Sequence, residues 1–187
     1  MARLTMRTLA KWHIWLGWLV GVPITIWLAT GLFMVARPIT EVRGDHLRRE
    51  TTTQPLAIPG STLAAAEANL AEMHVTMQGG RPVAVLTGLD GSVRRVDFAS
   101  GAPLAPLDAA AARALVAERI VGGDQVARVT LFEADSTPFD FRRPLAVWQV
   151  ALADGTNVYV GRDTGTIEAV RTRWWRAFDL AWGLHIM

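Results

Sequence analysis

Cysteine is absent from the whole 187-residue chain. The chain therefore forms no disulfide, no thiolate zinc site and no covalent attachment to a c-type haem. Catalytic signatures are missing too: there is no nucleophile elbow, no His-Glu-x-x-His motif, no phosphate loop and no dinucleotide fingerprint. The four histidines lie far apart in the sequence, at positions 13, 46, 74 and 185. We therefore predict no catalytic residue, and no metal cluster among the histidines.

A strong excess of positive charge is also missing. The net charge is only +2, and the arginines are spread over several short segments. A nucleic-acid surface needs Lys and Arg clustered on one face or along one helix. The sequence therefore predicts no nucleic-acid partner.

Charge is absent altogether between Lys11 and Arg37. A helix over these roughly 25 mostly apolar residues, rising about 1.5 Å per residue, is slightly longer than a hydrocarbon core of roughly 30 Å. A secretory signal has a shorter apolar core, of about 7–15 residues, and small residues at its cleavage site. Bulky Phe33, Met34 and Val35 stand here instead. We therefore predict an uncleaved membrane anchor over residues 1–37, with the lipid bilayer as a partner.

The sequence indicates the orientation of this anchor in the membrane less clearly than the anchor itself. Basic residues flank it in similar numbers on both sides, so the positive-inside rule nearly ties. A short segment before a first helix favours a cytoplasmic N-terminus. We therefore expect the main domain to lie outside the cytoplasm, which means the periplasm if the protein belongs to the inner membrane of a Gram-negative bacterium.

Tryptophan is concentrated at the two ends of the chain. Indole rings favour the headgroup level of a membrane, where their apolar body and polar N–H are both satisfied. The residues predicted to lie at the membrane interface are Trp12, Trp15 and Trp18 in the anchor and Trp174, Trp175 and Trp182 in the C-terminal segment.

Two glycines in the anchor, Gly17 and Gly21, form a GxxxG step, and His13 lies one turn earlier. Small residues let another helix, or a flat ligand, approach the backbone closely. For the glycines the alternatives are such a close approach by a helix or a flat ligand, ordinary helix packing, or no contact at all. An ionisable residue inside a span is a candidate functional residue. His13 is therefore either an unliganded interfacial residue or a ligand of a metal or haem.

The rest of the chain predicts an α+β domain at residues 61–172, after a polar linker at residues 38–60. Two turn motifs recur in it at the same spacing: Asp90-Gly91-Ser92 with Ser100-Gly101, and Asp154-Gly155-Thr156 with Thr164-Gly165. A shared spacing of turns indicates two copies of one helix-plus-antiparallel-strand unit, at about 61–107 and 108–172. The predicted helices are 63–73 and 108–121, and the predicted strands are 82–87, 93–98, 126–134, 146–152, 157–160 and 167–170.

Three segments together resemble one family. The anchor motif 11–17 (KWHIWLG) with Thr30-Gly31-Leu32, the strand and turn at 157–167 (NVYVGRDTGTI), and 182–185 (WGLH) are similar to the PepSY-associated transmembrane family. The resemblance covers nearly the whole chain. It implies a PepSY-like extracytoplasmic domain that inhibits, regulates or assists partners near the cell surface. Some relatives are siderophore-iron reductases with haem b on membrane histidines, which implies His13 and His185 as candidate ligands.

The C-terminal segment 173–187 places Trp and Phe at helical spacing with arginines between them. This pattern predicts an amphipathic helix at the membrane interface, and the resemblance implies that a further transmembrane helix follows it. Two functions therefore remain open. One is a membrane-anchored binding, regulatory or accessory module that contacts a membrane or periplasmic protein or a second copy, and is not itself an enzyme. Its predicted contact surface is formed by exposed strands and by the Phe139–Arg143 loop, an aromatic and basic interruption between two predicted strands. The other is a haem-binding subunit of an electron-transfer or iron-reductase system, although His13 and His185 lie too far apart to bind one iron.

Overall fold

The computed structural model describes residues 2–50 and 69–186. The chain divides into two compact units: Met1–Arg43 together with Arg173–Met187, and Gly44–Thr172. The overall class is α+β, as the sequence predicts. A long apolar N-terminal helix is followed by two four-stranded antiparallel sheets and a C-terminal helix.

The first unit is helical. Helix α1 spans Ala2–Val35, α2 spans Ile39–Val42 and α4 spans Arg173–Ile186. Between Thr5 and Val35, α1 has a mean hydropathy of 1.9, and no residue of its most apolar stretch is buried. By length and composition α1 is able to cross a membrane, and a signal sequence satisfies the same criteria.

Helix α4 packs along the C-terminal half of α1. Trp174, at the start of α4, lies with its ring centroid 4.7 Å from that of Phe33. His185, near the end of α4, stacks on Trp27 at 4.8 Å. The two helices therefore run in opposite directions. The predicted C-terminal helix is confirmed over Arg173–Ile186. Its location at a membrane interface stays a prediction.

The second unit contains two sheets with the same strand order. The strands are β1 (Leu70–Gln78), β2 (Arg81–Gly88), β3 (Val93–Asp97) and β4 (Pro103–Leu104) in the first sheet, and β5 (Val126–Phe132), β6 (Val147–Leu152), β7 (Asn157–Gly161) and β8 (Ile167–Arg171) in the second. Each sheet is an antiparallel meander in which consecutive strands are neighbours. The first strand of each has a register shift at the corresponding point, Leu70/Glu72 and Val126/Arg128.

The matching turns predicted from the sequence have matching hydrogen bonds. Asp90 accepts from the backbone N–H of Ser92 at 2.9 Å, and Asp154 accepts from that of Thr156 at 2.8 Å. The backbone φ angles of the turn glycines are +81° at Gly91 and +83° at Gly155. This left-handed region is open to glycine without steric cost. The repeated hairpin is thereby confirmed in its strands and turns.

Helix α3 (Ala109–Arg119) covers one face of the second sheet. Asp108 caps it by accepting from the N–H of Ala111 at 2.8 Å, as expected of an N-cap. Val116 and Ile120, on and just after the helix, are fully buried against Val158 and Val160 of β7. These contacts form the larger apolar core of the unit.

Two predicted segments differ from the structure. The predicted helix 63–73 falls largely on residues outside the described ranges, but its last residues, Leu70–Met73, are wrong because they begin β1. Their helix-favouring side chains are overridden by ladder pairing with β2 along the whole of β1. The predicted linker 38–60 differs as well. Its described part contains α2 and a 3-10 turn at Asp45–Leu47, and Arg48 forms a β-bridge with Ile120.

Candidate functional site

An aromatic loop between β5 and β6 covers the face of the second sheet that α3 leaves free. Phe141 in this loop is only 2% exposed. Its ring stacks on Tyr159 of β7 at a centroid distance of 4.9 Å. Val147 and Ala169 complete this smaller apolar cluster. Because the side chains of successive strand residues point to opposite faces, Val158 and Val160 face α3 while Tyr159 faces the loop.

A polar network fixes the same loop. The Tyr159 hydroxyl donates to Oδ1 of Asp140 at 2.5 Å and accepts from Nε2 of Gln149 at 2.7 Å. Arg171 donates through Nε to the Asp140 carbonyl oxygen at 2.7 Å. Burial raises the pKa of Tyr159 well above its ordinary value, and the hydrogen bond to Asp140 raises it further. The phenol therefore stays protonated and keeps its donor aimed at the carboxylate.

The tip of the loop is exposed although its base is buried. Phe139 is 81% exposed. The guanidinium of Arg142 lies over its ring, 4.3 Å from the centroid, and Nε of Arg142 donates to the Phe139 carbonyl at 3.0 Å. Arg142 has a φ of +56°, a strained value for a residue with a Cβ. Arg143 pairs with Glu168 of β8 at 2.7 Å. The loop thus places an exposed aromatic ring, in contact with Arg142, above a buried base.

In the first unit, His185 is held by three neighbouring residues of α1. Its Nδ1 lies 3.1 Å from both the Trp27 carbonyl oxygen and the Thr30 hydroxyl. Gly31 leaves room for the ring, since a Cβ there would lie 3.1 Å from Cε1 of His185. A carbonyl oxygen only accepts hydrogen bonds, so in the neutral ring Nδ1 carries the proton and Nε2 carries the lone pair.

The other predicted residues of the anchor are not brought to His185. His13 is exposed and makes no hydrogen bond to any described residue. It precedes Trp27 by fourteen residues of continuous helix, or about 21 Å. Gly17 and Gly21 lie on an open groove of about 490 Å³, which is also lined by Ile14, Trp18, Val22 and Thr25. Apart from the adjacent residues and the backbone of α1 itself, no atom of the described residues would lie within 4 Å of a Cβ at either glycine.

The predicted interfacial tryptophans fall into two groups. Trp12, Trp15 and Trp18 are all strongly exposed on α1. Trp174 is partly buried between Phe33 and the guanidinium of Arg37, which lies 4.9 Å from its ring centroid. Trp175 is also partly buried, whereas Trp182 is exposed. The first group has the exposure that a lipid environment would require, and Trp174 contributes to helix packing.

The chain was compared with protein-family models, with curated proteins and with solved structures, and none of them matches it. The PepSY resemblance therefore stays a prediction. Within residues 2–50 and 69–186, no three His, Asp or Glu side chains come together as a metal site. The fold and the loop define an α+β unit that follows a long apolar helix in the sequence and has an exposed aromatic ring at the tip of one loop.

Several of these features have no strong signal in the sequence. The arrangement of Trp27, Thr30 and Gly31 around His185 depends on how α4 packs against α1. The pairing of Tyr159 with Asp140 joins residues from a strand and an irregular loop. One signal was visible: Phe139–Pro144 interrupts a strand pattern with aromatic and basic residues, which favours a contact surface over a simple turn.

Proposed function

We propose that this protein is a membrane-anchored, extracytoplasmic PepSY-like module that binds another protein through the Phe139 loop. Helix α1 would anchor it in the bacterial inner membrane with the N-terminus in the cytoplasm and the α+β domain in the periplasm. The role is one of binding, regulation or assistance to a membrane or periplasmic partner. The proposed role requires no catalytic residue.

The observation that supports this role best is the contrast between Phe139 and Phe141. Two residues apart, one ring is 81% exposed and the other 2%. An aromatic ring that stays in water forfeits about 1.5–3 kcal/mol of burial free energy. Strained backbone such as that of Arg142 is concentrated at ligand clamps and functional sites. An exposed ring on a fixed base is therefore best explained as a contact for a partner.

The side chains of the loop have the chemistry of a binding hot spot. Aromatic and arginine residues dominate the energetics of protein interfaces. Phe139 and Arg142 supply both types at one point and are already in contact with each other. Because the base of the loop is fixed by Phe141 and Asp140, little conformational entropy remains to be lost on binding.

Photo-crosslinking in intact cells tests this role. Phe139 is replaced by the photoreactive analogue p-benzoylphenylalanine, and Leu89, a 73% exposed residue on the β2–β3 turn, is replaced likewise as a control. We expect one discrete protein adduct from position 139 and none of the same mass from position 89. Equal labelling from the two positions, or no adduct from position 139, would contradict the proposal.

A second function, haem binding, is supported by the geometry of His185. Metal-bound histidines usually donate one ring N–H to a carbonyl or carboxylate, which orients the other nitrogen toward the metal. Nδ1 of His185 is held in this way by Trp27, and Nε2 makes no hydrogen bond to any described residue. His185 would be the residue that holds the haem iron, while His13 would need a different iron. Bound haem would supply one-electron chemistry.

An absorption spectrum distinguishes this alternative. We expect protein purified in detergent from haem-replete cells to show a Soret band only if haem b is bound. The band should then disappear in His185→Ala and persist in His46→Ala, a matched control outside the helical unit. A colourless preparation would contradict haem binding and leave the binding-module role intact.

A further inference from the structure

A positively charged cleft lies in the second unit and shares no lining residue with the Phe139 loop. Its volume is about 390 Å³, within the range of roughly 300–1,000 Å³ that ligand pockets have. Its walls come from the end of β1, the start of β8, the last turn of α3 and the segment at residues 48–49. Among the twelve lining residues are Arg48, Arg49, Arg119 and a single acid, Glu118.

Backbone pairing brings these arginines together. Arg48 forms a β-bridge with Ile120, directly after α3. The N–H of Arg49 donates to the Arg119 carbonyl at 2.8 Å, and the N–H of Val121 donates to the Leu47 carbonyl at 2.8 Å. Three arginine side chains thus project from two adjacent backbone segments. With Glu118 they give the lining a formal charge of +2.

The chemistry of the lining favours a carboxylate. A guanidinium presents its N–H groups as a planar fork that matches the two oxygens of a carboxylate or the oxygens of a phosphate. Thr76 and Thr166 add hydroxyl groups to the walls. One arginine, Arg119, is already paired with Glu118 at 2.9 Å.

The walls of the cleft also include two strand edges. β1 and β8 are the outermost strands of their sheets among the described elements, and Thr76–Gln78 and Ile167 line the cleft. An outermost strand has a row of backbone N–H and C=O groups without a neighbouring strand, which an extended peptide can pair with. A peptide chain has backbone N–H and C=O groups that can pair with those of the outermost strand, whereas a small anion has none.

One wall is held rigidly by contacts between the two sheets. Gln78 donates to the Thr164 carbonyl at 3.1 Å and accepts from Nη1 of Arg95 at 3.1 Å. Gly165, with a φ of +68°, lets Arg95 approach its backbone, because a Cβ there would lie against the guanidinium. A wall fixed before binding reduces the entropy that a ligand must overcome.

We propose that this cleft binds an extended acidic peptide, whose carboxylates pair with Arg48 and Arg119 and whose backbone adds to a strand edge. This inference rests on the proposed binding role and gives it a second contact of defined chemistry. The peptide is identified by its charge and its extended conformation. It binds at residues that the Phe139 loop does not use.

Fluorescence polarisation with the full chain in neutral-lipid nanodiscs tests the site. The probe is a fluorescein-labelled octapeptide of alternating glutamate and threonine. We expect it to bind, and we expect the double variant Arg48→Gln/Arg119→Gln to bind it about tenfold or more weakly, because two charge-assisted contacts are lost. Arg113→Gln removes an exposed arginine of α3 outside the cleft and is expected to leave the affinity within about twofold.

Four further arms complete the test. The double variant Arg48→Lys/Arg119→Lys keeps the charge and should bind with intermediate affinity, which separates loss of the fork geometry from misfolding. A lysine-threonine octapeptide should not bind. Inorganic phosphate should displace the probe no better than sodium chloride of equal ionic strength. Phe139→Ala should keep full affinity for the probe, so that failure of the loop proposal and failure of this one are distinguishable.

Three results would overturn the inference. The first is unchanged affinity of Arg48→Gln/Arg119→Gln for the probe. The second is equal affinity for the lysine peptide. The third is full displacement by phosphate at matched ionic strength, which would assign the cleft to small anions rather than to a peptide.

Discussion

Phe141→Ala is expected to lower the free energy of unfolding of the α+β unit by about 3–5 kcal/mol, the usual cost of truncating a buried phenylalanine. The ring is almost fully buried against Tyr159, Val147 and Ala169, and removing it leaves a cavity between the loop and the sheet. The check is urea denaturation followed by circular dichroism, with the protein held in the same detergent throughout.

Phe139→Ala is the matched control, because it removes the same side chain two positions earlier in the same loop. Its exposed ring predicts a change within about 0.5 kcal/mol. If the two variants lost the same stability, the distinction between a buried base and an exposed tip would be wrong.

The second large effect is expected at alkaline pH. Tyr159 is fully buried, and its pKa is raised above its ordinary value of 10.0 by burial and by the hydrogen bond to Asp140. In the unfolded chain the phenol ionises near pH 10, whereas in the folded chain it stays protonated. The stabilisation of the folded chain by the protonated Tyr159 phenol is therefore fully present below pH 10. It is lost as the pH rises toward the folded pKa, at about 1.4 kcal/mol per pH unit.

The sequence makes this test unusually clean, since Tyr159 is the only tyrosine in the chain. Tyrosinate absorbance near 295 nm reports on that one group, and it should appear only as the protein unfolds. Between pH 10 and pH 12 the native sequence should lose stability through the ionisation of Tyr159. The variant Tyr159→Phe has no phenol and should lack this loss. Tyrosinate absorbance in folded protein at pH 10.5 would contradict the buried network.

The repeated fold was predictable because its signals are local. Asp-Gly pairs at Asp90 and Asp154 define tight hairpins, and the apolar runs between turns are long enough only for strands. Strand β1 was not predictable, because Ala71, Glu72 and Met73 favour a helix in isolation. Their strand conformation depends on pairing with β2, an interaction that a short sequence window does not contain.

The candidate sites depend on longer-range contacts. The sequence singled out His185 through a family resemblance, but the residues that hold it come from α1, more than 150 positions earlier in the chain. The arginine cleft likewise joins residues 48 and 119, which are distant in sequence. In contrast, the Phe139 loop was visible as an aromatic and basic interruption between two strands, because its chemistry lies within a few consecutive residues.

The proposed role requires that the loop present Phe139 in a fixed position. The most direct test is the photo-crosslinking yield from position 139 in cells, measured in the native background and in Phe141→Leu, which removes the ring that stacks on Tyr159 and keeps an apolar side chain at that position. We predict that the adduct from position 139 falls several-fold in Phe141→Leu while the amount of membrane-inserted protein is unchanged. The same adduct yield in both backgrounds would contradict a contact that depends on the fixed loop.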